Sequence, residues 1–389
     1  MIPHISFIAG SYRAGKSAIP ITAEFAHGQL EERVIRPTAE VEFRVYGHCL
    51  PGQSMDSLIA RVRQAYLVFA GKLYNLDELG GRAMRHLDVE KQLTPAETFL
   101  QLYLNEKDWL LQNVNGKFSA AIYQNDKLVL IRDKVGEEQV YYGCSLARVV
   151  FSSAIKDVVL GLGLSEFSIP DSLVVFETPI EDETMFKGVY KVEPGTEVTI
   201  NLSNGQTSKR TYWRPEPSSI VLPSERAYVE AFRALMQDAI RRRIPGVEIS
   251  AFLSGGQDSS FLSCSLALEG RTPARVYTAA WVDLDFVYNE ASWAALVAEH
   301  IGADHVVIQP SPDDFRIHYP RTMRIFDEVK ANAAHFIEYW IAREAAQRGD
   351  THLFSGYGAD ELLGGEVRYL VMALDRDRGG NNKLFASHP

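Results

Sequence analysis

Two glycine-rich loops hold the residues best suited to chemistry. Leu253-Ser254-Gly255-Gly256-Gln257-Asp258-Ser259-Ser260 follows a short apolar segment, residues 247–253, and opens a helical one. Its two glycines let the backbone turn sharply and come close to a ligand. Ser254, Ser259 and Ser260 offer hydroxyl donors, and the free N–H groups at a helix start favour an anion. Asp258 is out of place beside a phosphate unless a cation lies between them, so it reads as a Mg2+ ligand. The alternative is a plain strand–helix turn with Asp258 near its N-cap. Ser355-Gly356-Tyr357-Gly358-Ala359-Asp360-Glu361-Leu362-Leu363-Gly364-Gly365 follows a second short strand-like segment, residues 351–354. Ser355, Gly356 and Gly358 again permit close approach, and Asp360 supplies another carboxylate. Two carboxylates from separate strand-end loops can converge on one metal that bridges phosphate oxygens. The alternative for this loop is a helix cap with solvated acids.

A third stretch competes. Gly10-Ser11-Tyr12-Arg13-Ala14-Gly15-Lys16-Ser17 fits the P-loop pattern letter for letter behind a strand-like run. Pro20 falls where the following helix should run, and would break the helix whose N-terminus must hold the phosphate. No apolar strand ending in Asp stands out as its partner. The match is therefore set aside.

The elements around these loops divide the chain. Up to about residue 213, short strands predominate. Residues 4–13, 66–74, 117–131 and 139–153 read as strands or hairpins, with Asn125-Asp126 and Ser203-Asn204-Gly205 as turns. Thr94 before Pro95-Ala96-Glu97 predicts a helix start with a capping box. Residues 214–224 are rich in Pro and Ser and read as a linker. From residue 225 to 389 the pattern alternates: helix over 225–243, strand 247–253, helix 258–268, strand 275–282, helix 289–302, strand 304–309. That alternation predicts a parallel α/β sheet.

Composition narrows the partners. Of 389 residues, 46% are hydrophobic and 23% charged, which excludes long disorder. A net charge of −10 argues against nucleic acid, while leaving room for a nucleotide held by backbone N–H groups and a metal. No stretch is long enough to span a bilayer, and MIPHISFIAG lacks the features of a secretory signal. Cys49, Cys144 and Cys264 form neither a disulfide framework nor a zinc site, so a reducing, cytoplasmic setting is expected.

These residues carry a resemblance. Leu253–Ser260 looks like the SGGxDS PP-loop of the N-type ATP pyrophosphatases, and Ser355–Gly365 looks like the second glycine loop of the asparagine synthetase family. Asn289-Glu290-Ala291-Ser292 with AALVAEHIGADH resembles that family's acidic-residue and helix segment. ISFIAG, AGKLYN, NGKFSAAIY, LVLIRDKVGEEQVYY, VVFSSAIKDVV, FKGVYKVEPGTEV and Tyr212-Trp213 resemble its glutamine amidotransferase domain. The resemblance implies an Ntn-hydrolase-like β-sandwich domain over residues 1–213 and a PP-loop ATP domain with a parallel sheet over 225–389.

Two departures shape the functional expectation. Active glutaminase domains of this family begin with a nucleophilic cysteine; Ser6 aligns there, with five residues before it, so no glutaminase activity is expected. Tyr357 stands where asparagine synthetases usually carry Glu. The β-lactam and carbapenam synthetases have Tyr there, where it helps deprotonate the attacking amine. In those relatives a Glu on a later helix and a late Lys complete the site. Here only 24 residues follow Gly365, and Lys383 has no supporting motif. Three expectations stay open: a second polypeptide (a homodimer partner or another subunit) completes the lobe, the sequence is a fragment, or activity is reduced.

The resemblance thus implies an ATP- and Mg2+-dependent ligase. It would adenylate a small-molecule carboxylate, with pyrophosphate held by the Ser254–Ser259 loop and Mg2+ by Asp258 and Asp360. An amine would then displace AMP, assisted by Tyr357. The rivals are an asparagine synthetase using ammonia on aspartate and a non-catalytic subunit.

Overall fold

The structure is a computed structural model that describes residues 8–12, 31–36, 41–47, 55–87, 92–145, 149–176, 179–216, 220–280, 290–326 and 334–365. The chain forms two compact units. One holds the described residues up to Tyr228 together with those of Ile317–Phe336. The other holds the described residues of Val229–Arg316 and those from Ile337 to Gly365.

The first unit is built on two six-stranded antiparallel sheets. Its strands are β1 (Ile8–Tyr12), β2 (Glu31–Ile35), β3 (Val41–Gly47), β4 (Ile59–Val62), β5 (Ala65–Leu73), β6 (Gly116–Gln124), β7 (Lys127–Arg132), β8 (Tyr141–Cys144), β9 (Val149–Ser152), β10 (Tyr190–Lys191), β11 (Thr196–Asn201) and β12 (Thr207–Thr211). One sheet runs β10-β8-β9-β1-β3-β2, the other β12-β11-β7-β6-β5-β4. Helices α1 (Leu76–Ala83), α2 (Pro95–Asn113), α3 (Ile155–Leu162) and α4 (Asp171–Phe176) join them.

Side-chain alternation sorts this unit into layers. Val68, Ala121, Leu130, Tyr142, Phe151 and Val198 share one core between the two sheets. Leu67, Phe69, Phe118 and Ile122 point the other way, into a second core with Leu79 of α1 and Phe99 of α2. Tyr141 and Val150 meet Ile155 and Val158 of α3. The order is helices, sheet, sheet, helix. Because both faces of β6 are covered, Phe118 through Tyr123 are all buried, as a doubly covered strand requires.

Local chemistry sets the joints. Asn125 and Asp126 adopt positive φ (51° and 55°), the two-residue turn whose twist matches a hairpin. Thr94 Oγ1 accepts from the Glu97 amide (3.1 Å) while Glu97 Oε2 accepts from the Thr94 amide (2.9 Å), closing the expected capping box. Buried Arg132 donates to the carbonyls of Glu138 (2.8 Å), Val192 (2.9 Å) and Gly136 (2.6 Å). Its neighbour Asp133 accepts five backbone N–H groups, from Phe118, Val135, Gly136, Glu137 and Glu138. The Arg-Asp pair of the sequence therefore holds loops to a sheet.

The second unit contains a four-stranded, wholly parallel sheet, β13 (Ser250–Phe252), β14 (Arg275–Ala279), β15 (Asp304–Ile308) and β16 (Leu353–Phe354), ordered β15-β14-β13-β16. The remaining helices are α5 (Glu225–Arg243), α6 (Gln257–Leu268), α7 (Ala291–Ile301), α8 (Pro312–Phe326), α9 (Ala334–Gln347) and α10 (Ala359–Leu363). Ala251, Leu253 and Val276 pack on Ala294 and Ala298 of α7, and Ile249 packs with Leu262 and Leu266 of α6 and Ile240 of α5. Among the described residues, no helix is long and apolar enough to cross a membrane.

Candidate nucleotide site

Strand order decides where the two glycine loops meet. β13 lies between β14 and β16, so the loops leaving β13 and β16 open side by side at the carboxyl edge of the sheet, where parallel sheets bind ligands. Leu253 directly follows β13: its amide donates to Tyr277 O (2.8 Å) and its carbonyl accepts from Thr278 Oγ1 (2.5 Å). Thr278 Oγ1 also meets His305 Nε2 (2.8 Å), whose partial burial holds the imidazole below its ordinary range against a smaller opposing pull from Asp304.

The turn that follows is braced from inside. Ser259 Oγ accepts from the Ser254 amide (3.1 Å) and contacts Ser254 Oγ (3.0 Å), and Ser254 Oγ accepts from the Gly256 amide (3.2 Å). These two serines, read from sequence as donors to a ligand, thus also shape the loop. Gly255 sits at φ +97°, and a Cβ there would overlap the carbonyl oxygen of Glu290 and stand 2.9 Å from its Cβ. Only glycine lets the loop lie against the start of α7. Gly256 caps α6 with its backbone in the extended region and no side-chain cap. The first-turn N–H groups of α6, at Gln257, Asp258 and Ser259, have no acceptor within the helix. Asp258 is half-buried and Ser260 follows it on α6.

The second loop rests on the first. A Cβ on Gly356 would stand 3.2 Å from the Ser259 amide nitrogen and 3.4 Å from Asp258 Cβ. Ser355 Oγ accepts from the Tyr357 amide (3.1 Å), and Gly358, at φ +91°, starts α10. Asp360 turns toward the end of that helix: its Oδ1 fills the place where a Gly365 Cβ would be. Among the described residues, no group of three or more His, Cys, Asp or Glu side chains could hold a metal ion unaided. Hard carboxylate oxygens in small number fit Mg2+ completed by substrate phosphates, which is how that ion is usually held.

Two acids join the site that sequence reasoning did not assign to it. Glu290 precedes α7, with Oε2 3.5 Å from the Cβ position of Gly256; the resemblance of residues 289–292 to the family's acidic-residue segment was the available signal. Glu338, on α9, accepts a 2.6 Å hydrogen bond from the Tyr357 hydroxyl. No sequence signal marks it, because 19 residues and a strand separate the pair. Desolvation, then Glu338, raise the phenol's pKa. With Tyr357 71% exposed, the hydrogen bond is the firmer of these two causes. Ser6, the P-loop-like residues from Arg13 to Ser17, Asn289 and Lys383 lie outside the described residues.

Known proteins agree with both halves. Residues 231–385 match the asparagine synthase family and residues 50–213 the glutamine amidotransferase domain family. Asparagine synthetase [glutamine-hydrolyzing] 1 of Bacillus subtilis is 26% identical over 304 residues, covering 77% of this chain and 47% of its own length. A putative asparagine synthetase [glutamine-hydrolyzing] of Mycobacterium tuberculosis is 28% identical over 78% of this chain and 48% of its own length. Carboxyethyl-arginine beta-lactam-synthase of Streptomyces clavuligerus is 28% identical over 77% of this chain and 56% of its own length. The chain spans about half the length of the curated relatives it matches. Among solved structures, a glutamine phosphoribosylpyrophosphate amidotransferase from B. subtilis covers 70% of this chain and 55% of its own at 13% identity and TM-score 0.33, a likeness too slight to build on.

Proposed function

We propose that the chain is an asparagine synthetase-like ligase, a reading its asparagine synthase and glutamine amidotransferase domain matches support, and that it uses ATP to join a small-molecule carboxylate to an amine, in the manner of a β-lactam synthetase and without glutaminase activity. The observation that carries the reading is the seat of Gly356 on Asp258 and Ser259, which sets both glycine loops at one edge of the parallel sheet. The ATP loops belong to residues 225–389 and the amidotransferase-like domain to 1–213, with 214–224 between them.

The reaction has two steps. A carboxylate oxygen attacks the α-phosphorus of ATP, and pyrophosphate departs. The residues from Leu253 to Ser260 hold the departing phosphates through backbone N–H groups at the start of α6. Ser355, Gly356 and Gly358 close over the nucleotide from the second loop. Mg2+, held by Asp258 and Asp360, would neutralise phosphate charge. An amine then attacks the acyl carbon and AMP leaves, with Tyr357 beside the amine.

ATP–pyrophosphate exchange with aspartate, N-(2-carboxyethyl)arginine and related amino-acid carboxylates tests the first step. Exchange with at least one is expected; no exchange and no ATP binding would reject the proposal. A second reading, ammonia-dependent asparagine synthesis, is favoured by the names of the B. subtilis and M. tuberculosis relatives. Aspartate, ATP and ammonium yielding asparagine would select it.

A further inference from the structure

We propose that Thr278 is a positioning residue for the phosphate-holding loop, with its hydroxyl oriented by His305. This rests on the synthetase reading above and adds to it two residues that need touch no substrate. β13 and β14 pair in parallel as far as Phe252 and Tyr277. The next carbonyl, that of Leu253, accepts from a side chain, the Thr278 hydroxyl at 2.5 Å. The peptide between Leu253 and Ser254 is therefore where the chain leaves the sheet for the loop. Its other end is held as well, since the Ser254 amide donates to Ser259 Oγ (3.1 Å). A trans peptide is planar, with its C=O and N–H pointing opposite ways, so a partner at each end fixes its rotation. Ser259 lies in the first turn of α6, and Gly356 of the second loop packs against its amide nitrogen. One peptide plane thus sets the direction of the first loop and the seat of the second.

Hydrogen counting assigns the roles. A carbonyl only accepts, so the single hydroxyl proton of Thr278 points to Leu253 O. Oγ1 then has only lone pairs to offer at its 2.8 Å contact with His305 Nε2, so that nitrogen carries a hydrogen and donates it. Both the neutral imidazole in this tautomer and the imidazolium satisfy the contact. With His305 donating to the oxygen, the hydroxyl is left facing the Leu253 carbonyl. Thr278 is 1% exposed, so a partner lost here is not replaced by bulk water. The carbonyl, the hydroxyl and the imidazole come from the end of β13, from β14 and from β15, and these strands are neighbours in the sheet. A loop aimed from packed strands keeps its geometry better than one held only by its own residues. Thr278 therefore does not bind phosphate; it aims the amides that do.

The test uses the full chain in ATP–pyrophosphate exchange, with aspartate or N-(2-carboxyethyl)arginine, whichever carboxylate supports it. Thr278→Val keeps the shape and removes the hydroxyl. It should raise the KM for pyrophosphate about tenfold, the effect of one lost hydrogen bond, and leave the KM for the carboxylate within about twofold. Thr278→Ser keeps the hydroxyl and should stay within about threefold of the wild type in both. His305→Leu removes only the donor behind the hydroxyl and should raise the pyrophosphate KM about threefold, whereas His305→Gln, whose amide can donate, should not. A role in folding alone would lower the maximal rate by reducing the active fraction and move neither KM. That result, or an unchanged pyrophosphate KM in Thr278→Val, would overturn the inference while leaving the synthetase reading intact. Should Thr278→Val not fold, His305→Leu decides, and an unchanged pyrophosphate KM there would overturn the inference. Wild-type protein with no exchange and no ATP binding would overturn both.

Discussion

At Gly255 the backbone conformation and the neighbour forbid a side chain independently. With φ at +97° and the Glu290 carbonyl oxygen where a Cβ would stand, Gly255→Ala must shift either the loop or the start of α7. Strain of this kind costs about 1–3 kcal/mol. The variant should lose most ATP–pyrophosphate exchange and melt several degrees lower; a thermal melt beside the exchange assay checks both. His305 provides a pH signature. Burial depresses its native pKa, so the native state binds fewer protons than the unfolded chain. Its contribution is present above the ordinary histidine value of about 6.5 and is lost as pH falls from there through the lower native value. Chemical denaturation at pH 7.5 and 5.5 should show the wild type weaker at 5.5, and His305→Gln, which can still meet Thr278, should narrow that difference.

Elements show which local signals act alone. The capping box at Thr94 and Glu97 and the hairpin at Asn125-Asp126 each depend on residues a few positions apart, and both form as the sequence predicts. Thr94→Ala removes one half of the box and should lower stability by about 1 kcal/mol without affecting pyrophosphate exchange, since it lies in the other unit. A calorimetric melt and the exchange assay together measure this. The alternating pattern after residue 225 was likewise legible, because the helical and strand periods differ. The Arg132 and Asp133 pair was not. Its sequence gives charge, but the three carbonyls and five amides that it satisfies come from segments up to 60 residues away.

For the whole molecule, the nucleophile position of the amidotransferase-like unit sets the expected source of nitrogen. The resemblance aligns Ser6 with the cysteine of the family's glutaminases, and a serine hydroxyl is a far weaker nucleophile than a thiol. Incubated with glutamine, the protein should release no glutamate above a blank, whether or not ATP is present; glutamate release would show a working glutaminase. The charge of −10 fits the same picture, since an anionic ligand would be met by helix-start amides and a metal.

The sequence by itself determined the two glycine loops, the turns and caps, and the change from strand-rich to alternating texture. These features rest on the conformational limits of single residues and their near neighbours. Only the tertiary structure decided that helices cover the outer faces of the first unit's two sheets and that Gly356 sits on Asp258. It also brought Glu290 to the first loop and Glu338 to Tyr357. Those contacts depend on strand order and helix packing, which join residues that no local pattern relates.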